Sequence, residues 1–358
     1  MLPEHREYAT MEGMITHDDF RAFTQGRCGV IELTRSKALN SLTVDMIRGI
    51  DQALDLFEQD SSVDVIVIAS STERAFCAGG DVRWVRERDL DGDFEAGNTF
   101  FEEEYRLNSR MASFPKPLVA LLNGVVMGGG FGISAHGSHR LVTSTTLGAM
   151  PEAAIGFVPD VGMSHVLTHL PVGKEIGEFI GLTGWRLSPA DMLWTGLGTH
   201  LVENPASIVE ELREDDIEQV LQRRTMPVEE AGESQLARHA DFIREALSHD
   251  SWVDVEAALR DGVNNDELSE EFRSALKDQL DSANPTSQVA GFEMFERAAA
   301  VDVDTALRNE LTVGTALRHQ PNFAEGVRAV LVDKDRTATF DPAESSEVDA
   351  AAWRELLD

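Results

Sequence analysis

Residues 123–162 read NGVVMGGGFGISAHGSHRLVTSTTLGAMPEAAIGFVPDVG, and the meaning of this stretch decides the fold. An apolar run, Pro117 to Leu122, delivers the chain to Asn123-Gly124. Gly128, Gly129 and Gly130 follow, then a run of small residues with the makings of a helix. Glu152 and Asp160 come next, two carboxylates in an otherwise apolar segment. Glycines let backbone N–H groups approach a ligand, and a helix start aims several of them at developing negative charge. Donors for an oxyanion with two acids close by in sequence are the equipment of acyl chemistry.

Other readings of the same residues fit less well. A dinucleotide fingerprint needs glycines at relative positions 1, 3 and 6, and counting from Gly128 the last of these is Ile133. A phosphate-cradling loop needs Gly-Lys-Ser/Thr, which does not follow. Close helix–strand packing would explain an isolated triple glycine. A second glycine turn upstream, Ala78-Gly79-Gly80-Asp81, tilts the balance, because two such turns on neighbouring strands can aim two N–H groups at one point. Glu152 suits either a helix start or a functional pocket, and Asp160 either a turn or a helix cap.

Working outward, Arg27 to Leu33 reads as a strand. Thr43 can cap a helix with Ile47, Ile50, Leu54 and Phe57 on one face, and Val63 to Ala69 is a buried-type strand. Strand, helix, strand implies a right-handed crossover and an α/β core. Helical signals cover about 98–113, ended by Pro115 and Pro117. They resume after Gly162, with Ser188 as a cap, and a short strand returns at 198–202. From Pro205 to Asn284 the chain is helical and acidic, and near the C-terminus Trp353 and Leu356 can dock. The expected layout is a lead-in at 1–20, a core at 21–204 and a helical region at 205–358 packing on that core.

The 358 residues carry 63 acids against 31 bases, a net charge of −32, and only five of the bases are lysine. That field opposes nonspecific binding to nucleic acid or anionic membrane. The polar, acidic N-terminus lacks the basic start and apolar centre of a signal peptide, and no apolar run reaches membrane-spanning length. These features lead to the expectation of a soluble, cytoplasmic protein with neither nucleic-acid nor membrane partners. Cys28 and Cys77 are too few for a disulfide framework. His165 and His169 could share a helix face, but no third ligand is evident and no metal is expected. The chain has no Gly-x-Ser-x-Gly elbow. Arg35, Lys37 and Lys334 are basic residues beside turns, able to meet an anion locally.

The succession LTRSKALNSL, AFCAGGD, PKPLVALLNGVVMGGGFG and MPEAAIGFVPDVG resembles the crotonase (enoyl-CoA hydratase/isomerase) superfamily. EEEY at 102–105, GISAHG at 132–137 and FAEGVRAVLVDKD at 323–335 make the chain look most like its thioester hydrolases. The resemblance implies an α/β fold, a spiral of ββα units with a helical C-terminal region. It implies an oxyanion hole from the N–H groups of Gly80 and Gly129, with Glu152 as the catalytic glutamate and Asp160 as the second acid. Glu104 would line the acyl pocket. Lys37, Ala38 and Leu39 would run beside the adenine end of coenzyme A, and Lys334 would approach the same nucleotide. Ala78 and Asp81, in the turn that carries Gly80, would also be substrate-contacting positions. No metal or cofactor is implied, coenzyme A being part of the substrate, and a homo-oligomer is among the expected states.

Two departures matter. Hydratases carry a first catalytic glutamate shortly after the triple glycine, where this chain has Gly132. Adding water across a double bond needs an acid and a base, so the missing carboxylate favours hydrolysis of a short, branched 3-hydroxyacyl-CoA. Hydration or isomerisation, and a non-catalytic acyl-CoA-binding subunit, are the alternatives. Secondly, Met163-Ser164 stand where the hydrolases usually have further glycines.

Overall fold

The computed structural model describes residues 9–11 and 14–358. The chain forms two compact units, each discontinuous in sequence. The first holds the described residues up to Asp81, Thr99–Gly148 and Leu187–Glu233; the second holds Val82–Asn98, Ala149–Arg186 and Ser234–Asp358. This differs from the contiguous division into 21–204 and 205–358, because residues 82–98 and 149–186 group with the C-terminal helices.

The first unit is built on an eight-stranded sheet. Its strands are β1 (Ala9–Met11), β2 (Met14–His17), β3 (Phe20–Gln25), β4 (Cys28–Leu33), β5 (Val65–Ser70), β7 (Leu118–Leu122), β9 (His139–Val142) and β11 (His200–Leu201), in that spatial order. β1 to β4 pair antiparallel, and from β4 onward the pairing is parallel. Parallel neighbours need a crossover, which the helix Val44–Gln59 supplies between β4 and β5. Thr43 caps that helix as its sequence predicts, accepting from the Met46 N–H at 3.2 Å. β5 and β7 are Val/Ile/Leu-rich and nearly all buried, as expected of parallel strands covered on both faces. One face packs Val30, Val67, Val119 and Leu141 against Ile208 and Leu221. Against β3, Gly49 lets the Val44–Gln59 helix approach so closely that a Cβ there would overlap the Phe20 ring.

A smaller sheet has the order β10 (Leu147–Ala149), β8 (Val125–Met127), β6 (Ala75–Cys77). The chain thus repeats one device three times: a strand in the large sheet (β5, β7, β9), a strand in the small sheet (β6, β8, β10), then a helical turn. This is the spiral of ββα units. Gly80, Gly129 and Glu152 each follow the small-sheet strand of their repeat by two or three residues.

The expected lead-in at 1–20 needs correction where it is described. Residues 1–8 and 12–13 lie outside the described residues, but Ala9–Met11 and Met14–His17 are sheet strands, with Ile15 buried. The alternation of Ile15 between Met14 and Thr16 puts one apolar side chain on the covered face, which suffices to anchor β2.

The second unit is mostly helical. The helix Pro285–Ala298, capped by Asn284, is buried on nearly every side, including Gln288 and Glu293. Helices Met163–Thr168, Lys174–Thr183, Val303–Arg318 and Ala350–Leu356 pack around it. The last of these docks through Trp353 and through Arg354, which pairs with Glu293 at 2.6 and 2.7 Å; Leu356, expected to dock as well, is exposed. Among the described residues no helix is long and apolar enough to cross a membrane.

Candidate active site

In the first unit the connector Ser36–Leu42 lies along the turn 78–81. Leu39 and Asn40 both take left-handed conformations (φ 51° and 57°). Asn40, which sequence reasoning missed, makes that turn possible. It is fully buried, and its Nδ2 donates to Ser70 Oγ (2.8 Å) and to the Phe76 carbonyl (3.0 Å). Asn tolerates the left-handed region better than most residues, which is the only sequence signal it offers. The Ala78 N–H then donates to the Leu39 carbonyl at 3.0 Å, and the Leu42 N–H to the Gly79 carbonyl at 2.8 Å. Lys37, Ala38 and Leu39 are thereby brought beside Ala78, Gly80 and Asp81. Lys37 is exposed, whereas the Asp81 carboxylate accepts from Arg35 Nη2 at 2.8 Å. The Asp81 carboxylate is therefore already engaged by a cation.

Leu42 bonds to the groups on either side of Gly80, taking the Asp81 N–H at 2.8 Å as well as donating to Gly79. The N–H of Gly80 is not used in that bridge. Gly128 enters its turn at φ 48°, which favours glycine, and Gly129 begins the short helix Gly129–Gly132, where a first-turn N–H has no partner within the helix. The two N–H groups are close. A Cβ built on Gly129 would lie 3.1 Å from the Gly80 nitrogen and would overlap Glu104 Oε1. A Cβ on Gly80 would meet the Phe100 ring at 2.8 Å and Glu104 Oε2 at 3.6 Å. Glu104 is buried at 1 % exposure, so its carboxylate lines the space beside both glycines. Its neighbour Glu103 turns the other way, to a two-pronged pairing with Arg48 (2.6 and 2.5 Å). Cys77, beside the glycine turn, is packing: burial, with a contribution from the Glu104 charge, pushes its thiol up to about 12.

In the second unit Glu152 opens a single helical turn, Glu152–Ile155, that closes at Gly156 (φ 74°). The turn is held from both sides. The Asn284 N–H donates to the Ala153 carbonyl at 2.9 Å, and the helix Pro321–Val327 packs on it so closely that a Cβ on Gly326 would overlap the Ile155 backbone. Sequence singled out FAEGV at 323–327; its glycine is what this approach requires. Asp160 follows, 5 % exposed, and its carbonyl accepts the Met163 N–H at 2.9 Å. Val161 sits at φ 56°, a strained position for a β-branched residue. Ser164 and Gly162 are bound by Glu310, a fully buried carboxylate that sequence reasoning missed.

Lys334 is exposed and also left-handed (φ 60°). Its flanking acids, Asp333 and Asp335, both accept from Arg328, at 2.6 and 2.8 Å. His165 and His169 have ring centroids 4.1 Å apart, and burial lowers the His165 pKa. Among the described residues no three His, Cys, Asp or Glu side chains gather as a metal-ligand set.

A spiral of ββα units that sets two glycine N–H groups side by side next to a buried carboxylate defines a class: a crotonase-fold acyl-CoA enzyme. The sequence relatives agree. The enoyl-CoA hydratase/isomerase model matches residues 28–357, and the chain belongs to that family. It is 36% identical to the mitochondrial 3-hydroxyisobutyryl-CoA hydrolase of Danio rerio over 325 residues, covering 89% of this chain and 84% of that one. The mitochondrial 3-hydroxyisobutyryl-CoA hydrolase of Homo sapiens is also 36% identical, with 90% and 84% covered. Among solved structures, a carnitinyl-CoA dehydratase from Mycobacterium thermoresistibile superposes with a TM-score of 0.86 at 32% identity, covering 96% of this chain and 97% of that one. An enoyl-CoA hydratase from Rhodobacter sphaeroides gives 0.84 at 33%, with 95% and 97% covered. One expectation falls here. The cytoplasmic reading, drawn from the acidic N-terminus, is overturned by these hydrolase relatives, which are mitochondrial.

Proposed function

We propose that the protein hydrolyses the thioester of 3-hydroxyisobutyryl-CoA, a step of valine breakdown, releasing free coenzyme A and the 3-hydroxy acid. The observation that carries this reading is Gly132: a hydrolase-like chain, 36% identical to named 3-hydroxyisobutyryl-CoA hydrolases, has no acid where a hydratase needs its first glutamate. In this reading the thioester oxygen takes the N–H groups of Gly80 and Gly129, which stabilise the charge that develops in the tetrahedral intermediate. Glu152 either attacks the carbonyl to give a mixed anhydride, later opened by water, or removes a proton from the attacking water. On both routes water replaces the thiolate, its oxygen entering the acid directly or by way of the Glu152 carboxylate, and the departing thiolate takes up a proton. Asp160 orients Glu152 or the water, holds the substrate hydroxyl and helps to protonate the thiolate. Glu104 bounds the acyl pocket. Lys37, Ala38, Leu39, Ala78, Asp81 and Lys334 serve the coenzyme A portion.

The reaction needs no metal or cofactor, so chelator-treated protein retains full turnover. The proposal extends to a homo-oligomer, as in much of the superfamily; a monomer mass in sedimentation would remove that part alone. Thiol release tests the roles: Glu152→Gln abolishes it and Asp160→Asn lowers it strongly, whereas wild-type turnover in both ends the assignment. The second reading, hydration or dehydration of an acyl-CoA, is favoured by the resemblance to the dehydratase and hydratase structures. Conversion of an unsaturated acyl-CoA without thiol release would establish it.

A further inference from the structure

We infer that Glu310, on the helix Val303–Arg318, is the positioning residue for Asp160, holding the turn 160–164 that presents this carboxylate to substrate. The inference rests on the proposed catalytic role of Asp160. The hydrogen bonds of the Glu310 carboxylate fall on that turn. Its Oε2 accepts the Gly162 N–H at 2.7 Å, and its Oε1 accepts the Ser164 N–H at 3.0 Å and the Ser164 hydroxyl. The helix Met163–Thr168 begins at Gly162, which has no side chain with which to cap it. Glu310 supplies the cap from another helix, 148 residues away in sequence.

Stability alone does not account for a carboxylate here. Glu310 is fully buried, and burial pushes its pKa up to about 8 despite three donors; the nearby Asp160 charge adds to the rise. The turn it grips is also strained: Val161 at φ 56° and Gly162 at φ 81° place two successive residues in the left-handed region, directly after Asp160. Such a conformation persists only where the surroundings over-determine it. The Ser164 hydroxyl completes the grip. The departure noted in the sequence, serine in place of a further glycine, and the buried glutamate therefore form one device.

The test is a double-mutant cycle on thiol release, with substrates that carry and lack the 3-hydroxyl. Glu310→Gln keeps the shape but sets an amide NH2 against an N–H donor. It is expected to lower kcat by about 10- to 100-fold, the scale of a small misplacement of a reacting group. KM stays near its wild-type value, and the preference for the hydroxylated substrate falls. In the Asp160→Asn background the same change has no further effect, because Glu310 acts through Asp160. A purely structural role would multiply the losses and leave substrate preference unmoved; that result overturns the inference and leaves the role of Asp160 standing. Wild-type turnover in Asp160→Asn overturns both. Should Glu310→Gln fail to fold, Ser164→Ala removes one bond of the device and carries the same cycle, and additive losses there overturn the inference equally.

Discussion

Gly129→Ala probes the paired N–H groups directly. The added methyl would stand 3.1 Å from the Gly80 nitrogen, the distance at which a bound oxyanion would accept its hydrogen bond. It therefore crowds the approach of an acyl oxygen to the Gly80 N–H. Losing one oxyanion donor costs about 10²–10³ in kcat, roughly 2.7–4 kcal/mol. The fold should tolerate the change. Gly129 does not need a left-handed backbone, the nearest other backbone atom after Gly80 N is the Gly79 carbonyl carbon at 3.4 Å, and the overlapped Glu104 Oε1 is the far end of a side chain with rotatable bonds. Gly130→Ala is the contrast, because its methyl would overlap the Cys77 carbonyl in the backbone itself and so lower stability instead. The assay is thiol release under saturating substrate, with thermal unfolding of each variant. Gly129→Ala should unfold within a few degrees of wild type and turn over at least about 10²-fold more slowly. A folded Gly129→Ala within threefold of wild-type turnover would refute the reasoning.

Other outcomes follow from buried charges. Glu178, 1 % exposed, has its pKa raised to about 8, chiefly by burial, with Lys174 at 3.5 Å pulling the other way. The native state therefore keeps a proton that the unfolded chain releases near its ordinary pKa of 4.5. Stability is present in full below that value and is lost as pH rises to about 8. Glu178→Gln should remove this slope, gaining on the order of a few kcal/mol relative to wild type at alkaline pH; parallel pH–stability curves would contradict it. Arg318 binds the buried Asp89 (3.0 Å from Nε), Asn98 (2.9 Å) and the Phe94 carbonyl (3.1 Å). Arg318→Met strands the Asp89 carboxylate and should cost about 3–5 kcal/mol in denaturant titration, and a loss below 1 kcal/mol would contradict that. Burial pushes the thiols of Cys28 and Cys77 up to about 12, so an alkylating reagent at neutral pH should label neither until the protein unfolds.

The parts of the molecule legible in sequence are those with local causes. Thr43 and Ser188 announce their helices because a cap acts within three residues, and both accept the N–H expected of them. β4, β5 and β7 show as largely apolar runs because a strand covered on both faces buries successive side chains. The twin glycine turns at Gly80 and Gly129 were visible as repeats of one strand–turn–helix device. Long-range pairings leave no such trace. Nothing near Glu310 in the chain shows that its carboxylate is spent on Gly162 and Ser164, and nothing near Asp81 shows that Arg35 holds it. Asn40 carries no local signal because its work is done on Ser70 and Phe76. The interleaving of the two units was hidden for the same reason: residues 82–98 and 149–186 are assigned by packing, not by composition. Compartment is not a physical property of the folded chain, and the polar, acidic N-terminus is a poor guide to it.

The most direct test of the central claim follows 3-hydroxyisobutyryl-CoA in oxygen-labelled water. Thioester hydrolysis predicts one free thiol per substrate consumed, with label in the carboxylate of the 3-hydroxy acid. Conversion to the α,β-unsaturated thioester with no thiol released would contradict it.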